Sequence, residues 1–310
     1  MTAPDLSIVM LSWNTEELTC AALEALARGR EGSPLALEVI VIDNASADGS
    51  VEAVRTRFPW VRLYRNEENL GYARGVNQGL ELATGRYLCL LGSDTEVRPG
   101  TFERMIGFLE EHEEVGGVAP RLVNPDGSPQ RACMRFPDLR VALWYDTWLE
   151  ERWPKNRVLD RYNYRDWSHD ADARVDQPPG TCFLVRREVY DEIGPMDRRL
   201  WLFFNDVDWC LRMRKAGWEI WYLHEGTEVL HHLGASTSRF AHFPFEWHKN
   251  RLQFYRKHYH VAGVVLVKAA ILYVGLREIR RIRRHLESTR EFLAHARQVA
   301  AAMLRVLVTG

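Results

Sequence analysis

Residues 38–50 read EVIVIDNASADGS, and their reading decides the fold class. Val39 to Ile42 is an unbroken β-branched run, the composition of a strand buried on both faces. The run ends in Asp43, followed by the turn formers Asn44, Ser46 and Gly49. A carboxylate at the carboxyl end of a buried parallel strand lies where open α/β sheets bind ligands. Asp43 there can accept from a base N–H or a ribose hydroxyl, although Asp-Asn with Ser and Gly also makes an ordinary turn. Working outward, residues 6–12 (LSIVMLS) predict the preceding strand, which ends beside Trp13 and Asn14 at the same rim. Asn14 and Glu17 have capping-box spacing, ahead of a helix that turns Leu18, Ala22 and Leu26 inward. Residues 61–64 and 87–91 read as the next strands, with helices over 72–83 and 100–112. This alternation predicts an α/β fold with a largely parallel sheet and right-handed crossovers.

Regularity fades near residue 124, and residues 124–178 form a long excursion carrying Trp144, Trp148, Trp153 and Trp167. Such tryptophans suit either sugar stacking or covering a core. A strand over 181–186, a helix over 206–216, a strand over 219–223 and a helix over 245–258 follow. Residues 261–276 are apolar except for Lys268, and Arg277, Arg280, Arg281, Arg283 and Arg284 come directly after. As a helix this apolar run is about 24 Å long, short of the roughly 30 Å hydrocarbon core. It suits attachment to the cytoplasmic face of an anionic membrane, or packing on the catalytic domain or on a second copy of the chain as a homodimer. A helix to about Val306 completes the chain.

The 310 residues are 46% hydrophobic, enough for a sizeable core. A net charge of −1 argues against wholesale nucleic-acid binding. Five scattered cysteines, none spaced as CxxC, fit a reducing compartment without structural zinc or disulfides. Met1 to Asp5 has no secretory pattern, so a cytoplasmic location is expected.

Four further segments carry candidate chemistry. Asn69-Leu70-Gly71-Tyr72-Ala73-Arg74-Gly75 resembles a loop entering a helix, with Arg74 available to a phosphate or base. Leu90-Leu91-Gly92-Ser93-Asp94 ends a strand in a carboxylate that suits either a hard divalent cation or a turn. Asp206 and Asp208 lie in the aromatic stretch Trp201-Leu202-Phe203-Phe204-Asn205-Asp206-Val207-Asp208-Trp209. Burial there would raise a carboxyl toward a useful general base, whereas Asp206 as a helix cap and Asp208 paired with Arg212 are the structural alternatives. His231-His232 ends a strand, where neighbouring side chains point to opposite faces, so one of the two can serve a metal.

Taken in order, VIDNASADGS, NLGYARGVNQG, the strand ending in Asp94, GTCFLVRREVYDEIGPMD, FFNDVDWCLRMRKAGW and HHLGAS resemble the family 2 glycosyltransferases with the GT-A fold. The resemblance covers residues 6 to about 240, and RYNYRDWSHDADARVD is most similar to the rhamnosyltransferase branch. It implies a Rossmann-like sheet flanked by helices: a catalytic domain over 1–243, nucleotide-binding to about 123 and acceptor-binding beyond, then a C-terminal helical region over 244–310. It implies an inverting transfer of a sugar, rhamnose in that branch, from a nucleoside diphosphate such as dTDP-rhamnose to a carbohydrate or lipid-linked acceptor. The donor would be held by Trp13, Asn14, Asp43, Asn69, Gly71, Arg74 and Ser93. Asp94 and His231 would hold Mn2+ or Mg2+, Asp206 would be the base, and Trp201 and Asp208 would face the acceptor. The family usually has Glu-Asp where this chain has Asn205-Asp206, and an acidic residue or Asn-Pro where it has Gly92-Ser93. A non-catalytic sugar-nucleotide binder or scaffold of the same fold is the alternative those departures raise.

Overall fold

The computed structural model describes residues 3–232, 243–285 and 289–309. The chain begins β1 (Leu6–Ser12), α1 (Glu16–Arg30), β2 (Leu37–Asp43), α2 (Ser50–Arg57), β3 (Arg62–Arg65), α3 (Tyr72–Leu82) and β4 (Tyr87–Gly92). It continues β5 (Thr95–Val97), α4 (Thr101–Glu111), β6 (Val115–Pro120), β7 (Leu122–Val123), α5 (Leu139–Trp144), α6 (Trp148–Arg152), α7 (Arg157–Tyr162) and β8 (Ala173–Arg174). It ends β9 (Cys182–Arg186), α8 (Arg187–Ile193), α9 (Asn205–Lys215), β10 (Glu219–Leu223), β11 (Val229–His231), α10 (Phe243–His285) and α11 (Thr289–Thr309).

The chain divides into two compact units. The first holds residues up to Met134, Trp167–Trp201 and the described residues from Asn205 to His232. Its sheet has the order β3-β2-β1-β4-β9-β6-β10-β8. The strand-order reversal at β1, with β2 on one side and β4 on the other, is the switch point where such sheets open a ligand crevice. Strands β1 to β4 are mutually parallel, as the alternating pattern predicts. Strand β9 instead runs antiparallel between β4 and β6. Ile8, Met10, Val39, Val41, Cys89, Leu91, Val118 and Leu184 share one core with the inner faces of α1 and α4.

A second, three-stranded sheet, β5-β11-β7, lies in the same unit. Antiparallel pairing sets His231 opposite Thr95, and the His232 N–H donates to the Asp94 carbonyl at 2.9 Å.

Helix α1 begins differently from expectation. Its N-cap residue is Thr15, and the Asn14–Glu17 capping box does not form. Asn14 adopts φ 53°, and its side-chain oxygen accepts from the Ala47 N–H at 2.7 Å. The cap residue expected at the helix therefore staples two rim loops together.

The second unit comprises residues 135–166, Leu202–Phe204 and the described C-terminal residues. Part of the long excursion, residues 135–166, thus belongs with the C-terminal helices. Its core is aromatic: Phe254 and Tyr255 are buried, and Phe204 packs on Trp247 with ring centroids 5.1 Å apart. Arg251 is fully enclosed; its guanidinium donates to the Tyr145 carbonyl at 3.0 Å and lies 3.6 Å from Asp146.

Candidate active site

The rim of the sheet is built first by the loop after β2. Asp43 is buried, and its Oδ2 accepts from the Ser46 N–H at 3.0 Å. Its Oδ1 is also buried and has no hydrogen-bond partner. A buried carboxylate oxygen without a donor is costly unless a ligand supplies one, which is what a nucleoside N–H or hydroxyl would do. The neighbouring Asn44 organises the next loop. Its side chain donates to Asn69 Oδ1 at 2.8 Å and accepts from the Leu70 N–H at 3.0 Å. Asn69 Oδ1 also accepts from the Gly71 N–H at 2.9 Å. Asn69 thus shapes the loop with two of its own contacts.

Gly71 has φ 82°, a left-handed conformation, and a Cβ there would lie 2.3 Å from the Trp201 indole nitrogen. The Trp201 carbonyl accepts from the Tyr72 N–H at 2.7 Å, satisfying the exposed start of α3. Trp201 therefore packs against the loop that leads into α3. Arg74 is exposed on the first turn of α3. Trp13 is half-buried, and the Asn14 N–H donates to Ser46 Oγ at 2.9 Å. Ser93 is buried, its hydroxyl accepting from Thr15 at 3.2 Å.

Asp94 sits between β4 and β5, and β11 brings His231 to it: Nε2 is 3.7 Å from Asp94 Oδ1. Gln130 orients that imidazole. Its Oε1 accepts from His231 Nδ1 at 2.8 Å, while its Nε2 donates to the His231 carbonyl at 2.9 Å and to Asn124 at 2.7 Å. An acceptor on Nδ1 leaves the Nε2 lone pair toward Asp94. Burial pushes the His231 pKa down, against the pull of Asp94 upward. His232 points elsewhere, its Nε2 3.2 Å from Glu96, as alternation along a strand requires. Residues Leu233 to Ser236 of the HHLGAS segment lie outside the described residues.

The antiparallel β9 carries the other half of the site. The Gly92 N–H donates to the Thr181 carbonyl at 2.7 Å, which fixes Gly180 beside the end of β4. The Gly180 N–H donates to Asp206 Oδ2 at 3.3 Å, and the Tyr72 hydroxyl donates to the Gly180 carbonyl at 3.2 Å. Asp206 keeps part of its surface open, yet burial raises its carboxyl above the ordinary value, opposed by the N–H groups of Val207 and Gly180. Burial, then the charges of Asp206 and Asp94, push the Tyr72 phenol well up, so it remains a neutral donor. Asp94, His231 and Asp206 thus gather about the end of β4 and Gly180, while Asp43 ends β2 on the other side of β1.

Asp208 does not join them. It is fully buried and paired with Arg212 at 3.0 Å, one helical turn on. Tyr72, Gly180, Asn44 and Gln130 were not singled out from the sequence. Three stand inside quoted motifs without a role, and Gln130 is 101 residues from its histidine.

Both departures from the family pattern have a local cause. A Cβ at position 92 would lie 2.9 Å from Asp94 Oδ1, so glycine leaves that carboxylate room. Asn205 is buried, and its Oδ1 accepts from the Asp206 N–H at 2.8 Å.

The family model for glycosyl transferase family 2 matches residues 7–194. An N-acetylglucosaminyl-diphospho-decaprenol L-rhamnosyltransferase of Mycobacterium tuberculosis is 29% identical over 214 residues, 66% of this chain and 69% of its own. The O-antigen biosynthesis protein RfbC of Myxococcus xanthus is 24% identical over 64% of this chain and 15% of its own. Among solved structures, a Pyrobaculum calidifontis mannosyltransferase with GDP-mannose and Mn2+ aligns at TM-score 0.56 and 16% identity, over 100% of this chain and 88% of its own. Staphylococcus aureus TarS with UDP aligns at TM-score 0.54 and 16% identity, over 86% of this chain and 65% of its own. These solved structures share the GT-A fold at low identity. With its family model covering more than half the sequence, the chain belongs to glycosyl transferase family 2.

Proposed function

We propose that this glycosyltransferase moves L-rhamnose from dTDP-L-rhamnose, with inversion, to a hydroxyl of a lipid-linked diphospho-sugar at the cytoplasmic face of the membrane. The observation that carries the mechanism is the convergence of a raised-pKa carboxyl, Asp206, with the Asp94–His231 pair across Gly180. The M. tuberculosis rhamnosyltransferase supports the sugar and the class of acceptor.

Asp43 Oδ1 would accept from the nucleoside, and Trp13, Asn14, Asn69, Gly71 and Ser93 would shape the surrounding rim. Arg74 would reach the diphosphate from the first turn of α3, whose N-terminal dipole also favours an anion. The site fits a divalent cation: Asp94 Oδ1 and His231 Nε2 present an oxygen and an imidazole donor 3.7 Å apart. Mn2+ or Mg2+ held there, its shell completed by donor phosphates, would offset charge growing on the leaving diphosphate. Asp206 would accept the acceptor hydroxyl proton as that oxygen attacks the anomeric carbon from the face opposite the departing diphosphate.

A thermal-shift screen of nucleotide sugars with Mn2+ tests this reading. dTDP-L-rhamnose should raise the melting point through mass action, by more than UDP- or GDP-linked sugars do. A larger shift with another donor would replace rhamnose. Absence of any shift would remove the donor assignment altogether.

A further inference from the structure

The second unit carries a surface that its own packing does not use. Helix α10 breaks at His260, where φ is 51° and ψ −139°. Before the break, the helix is part of the aromatic core through Arg251, Phe254 and Tyr255. After it, Val267, Ala270 and Ile271 are buried, and Gly275 admits α11 so closely that a Cβ would lie 1.7 Å from Met303 Sδ. Val261, Val265, Ala269, Leu272 and Leu276 are exposed, at steps of three and four that place them on one face. Val261 is 77% exposed and Val265 60%. The same steps lead on to Arg280, Arg283 and Arg284, all exposed.

A second feature is joined to this face. Trp148 and Trp153 are 56% and 46% exposed, with ring centroids 5.9 Å apart. Glu151, between them, accepts from the Tyr273 hydroxyl and from Arg277 at 2.6 Å. The tryptophan pair is therefore tied to the turn of α10 where the aliphatic face gives way to arginines.

By length and composition alone, Phe245–Arg284 is apolar enough to cross a membrane. The break at His260 and the enclosure of the preceding turns leave only residues 261–276 for lipid. That is about 24 Å of helix, too short for a roughly 30 Å hydrocarbon core, so an in-plane arrangement is the one that satisfies it.

We propose that the second unit docks in the plane of an anionic lipid surface. The face from Val261 to Leu276 enters the acyl boundary, Trp148 and Trp153 sit at headgroup depth, and Arg280, Arg283 and Arg284 meet lipid phosphates. This deepens the placement at the cytoplasmic face given above by naming the surface responsible. It requires no particular donor sugar. Charge favours lipid over a second copy: a parallel self-contact through this face would bring the two arginine runs together, and an antiparallel one would set each run against the uncharged Val261 end of the other.

The test is flotation of the full chain with phosphatidylglycerol-containing or pure phosphatidylcholine liposomes. The protein should float with the anionic vesicles, less with the neutral ones, and lose binding as salt rises. The double variant Val265→Asp with Leu272→Asp should lower vesicle partitioning about tenfold or more while its melting point is unchanged. Brominated acyl chains should quench wild-type emission more than that of Trp148→Phe with Trp153→Phe. Two results would overturn the proposal: a wild-type chain left behind at low salt, or a dimer that the aspartate variant converts to monomer. Nucleoside diphosphate binding is followed in the same samples; its loss would strike the sugar-transfer reading and leave the lipid surface standing.

Discussion

Gln130 decides which nitrogen of His231 faces Asp94. Its amide oxygen can only accept, so the imidazole hydrogen stays on Nδ1 and the lone pair of Nε2 points into the site. Loss of such an orienting partner typically weakens metal affinity about 10–100-fold. Gln130→Ala should therefore weaken Mn2+-dependent nucleoside diphosphate binding by that order, and Asp94→Ala by at least as much. In chelator, both variants should match the wild type. Calorimetry under the two conditions reads the difference, and unchanged Mn2+ dependence in Gln130→Ala would remove the orienting role. The pH behaviour has a definite sign. Burial lowers the His231 pKa, so the imidazole stays neutral, and ligating, below the ordinary value of about 6.5. Mn2+-dependent binding should accordingly stay level as pH falls through that value. Asp43, Asp94, Asp206 and His231 were legible because each ends an apolar run or stands in a recognisable segment. Gln130 was not, because its meaning comes only from pairing with a residue far along the chain.

Strand β6 shows why some elements escape a reading of periodicity. Its sequence, Val115-Gly116-Gly117-Val118-Ala119-Pro120, has the composition of a turn, yet every residue is buried in the middle of the sheet. The glycines answer to neighbours: a Cβ on Gly117 would lie 2.7 Å from the Phe183 ring, and one on Gly116 2.8 Å from Trp218 Cβ. Gly117→Val should destabilise by about 1–3 kcal/mol through overpacking. For a unit of about 150–250 residues, the size class of the first unit, each kcal/mol lowers the melting point by roughly 2–4 °C. Differential scanning calorimetry measures this, and an unchanged transition would mean that β9 yields without cost. Strand β2 was legible because β-branched residues fill it, and β1 and β4 because their residues are mostly apolar. The antiparallel direction of β9 was not, since a long excursion before it permits either direction. The Asn14–Glu17 spacing misled for a related reason: a side chain able to cap a helix can equally bond a neighbouring loop, and Asn14 does so.

At the scale of the molecule, the described groups proposed for catalysis belong to the first unit, while the second presents an aliphatic and arginine-rich face. That division lets sugar transfer and surface attachment be measured separately. Burial raises the Asp206 carboxyl, and only its ionised form can take a proton. The acid limb of turnover should therefore lie above the ordinary aspartate value of about 3.9, with activity falling as pH drops through it. The reaction class was legible through the family resemblance, and the arrangement of Gly180, Tyr72 and Asp206 supplies the argument for the base. The most direct test of that argument is turnover of dTDP-L-rhamnose with a lipid-linked acceptor and Mn2+, comparing wild type with Asp206→Asn. The account predicts a loss of about 10²–10⁴-fold or more in turnover, with donor affinity within a few-fold of wild type. A folded Asp206→Asn protein that transfers sugar at close to the wild-type rate would contradict it.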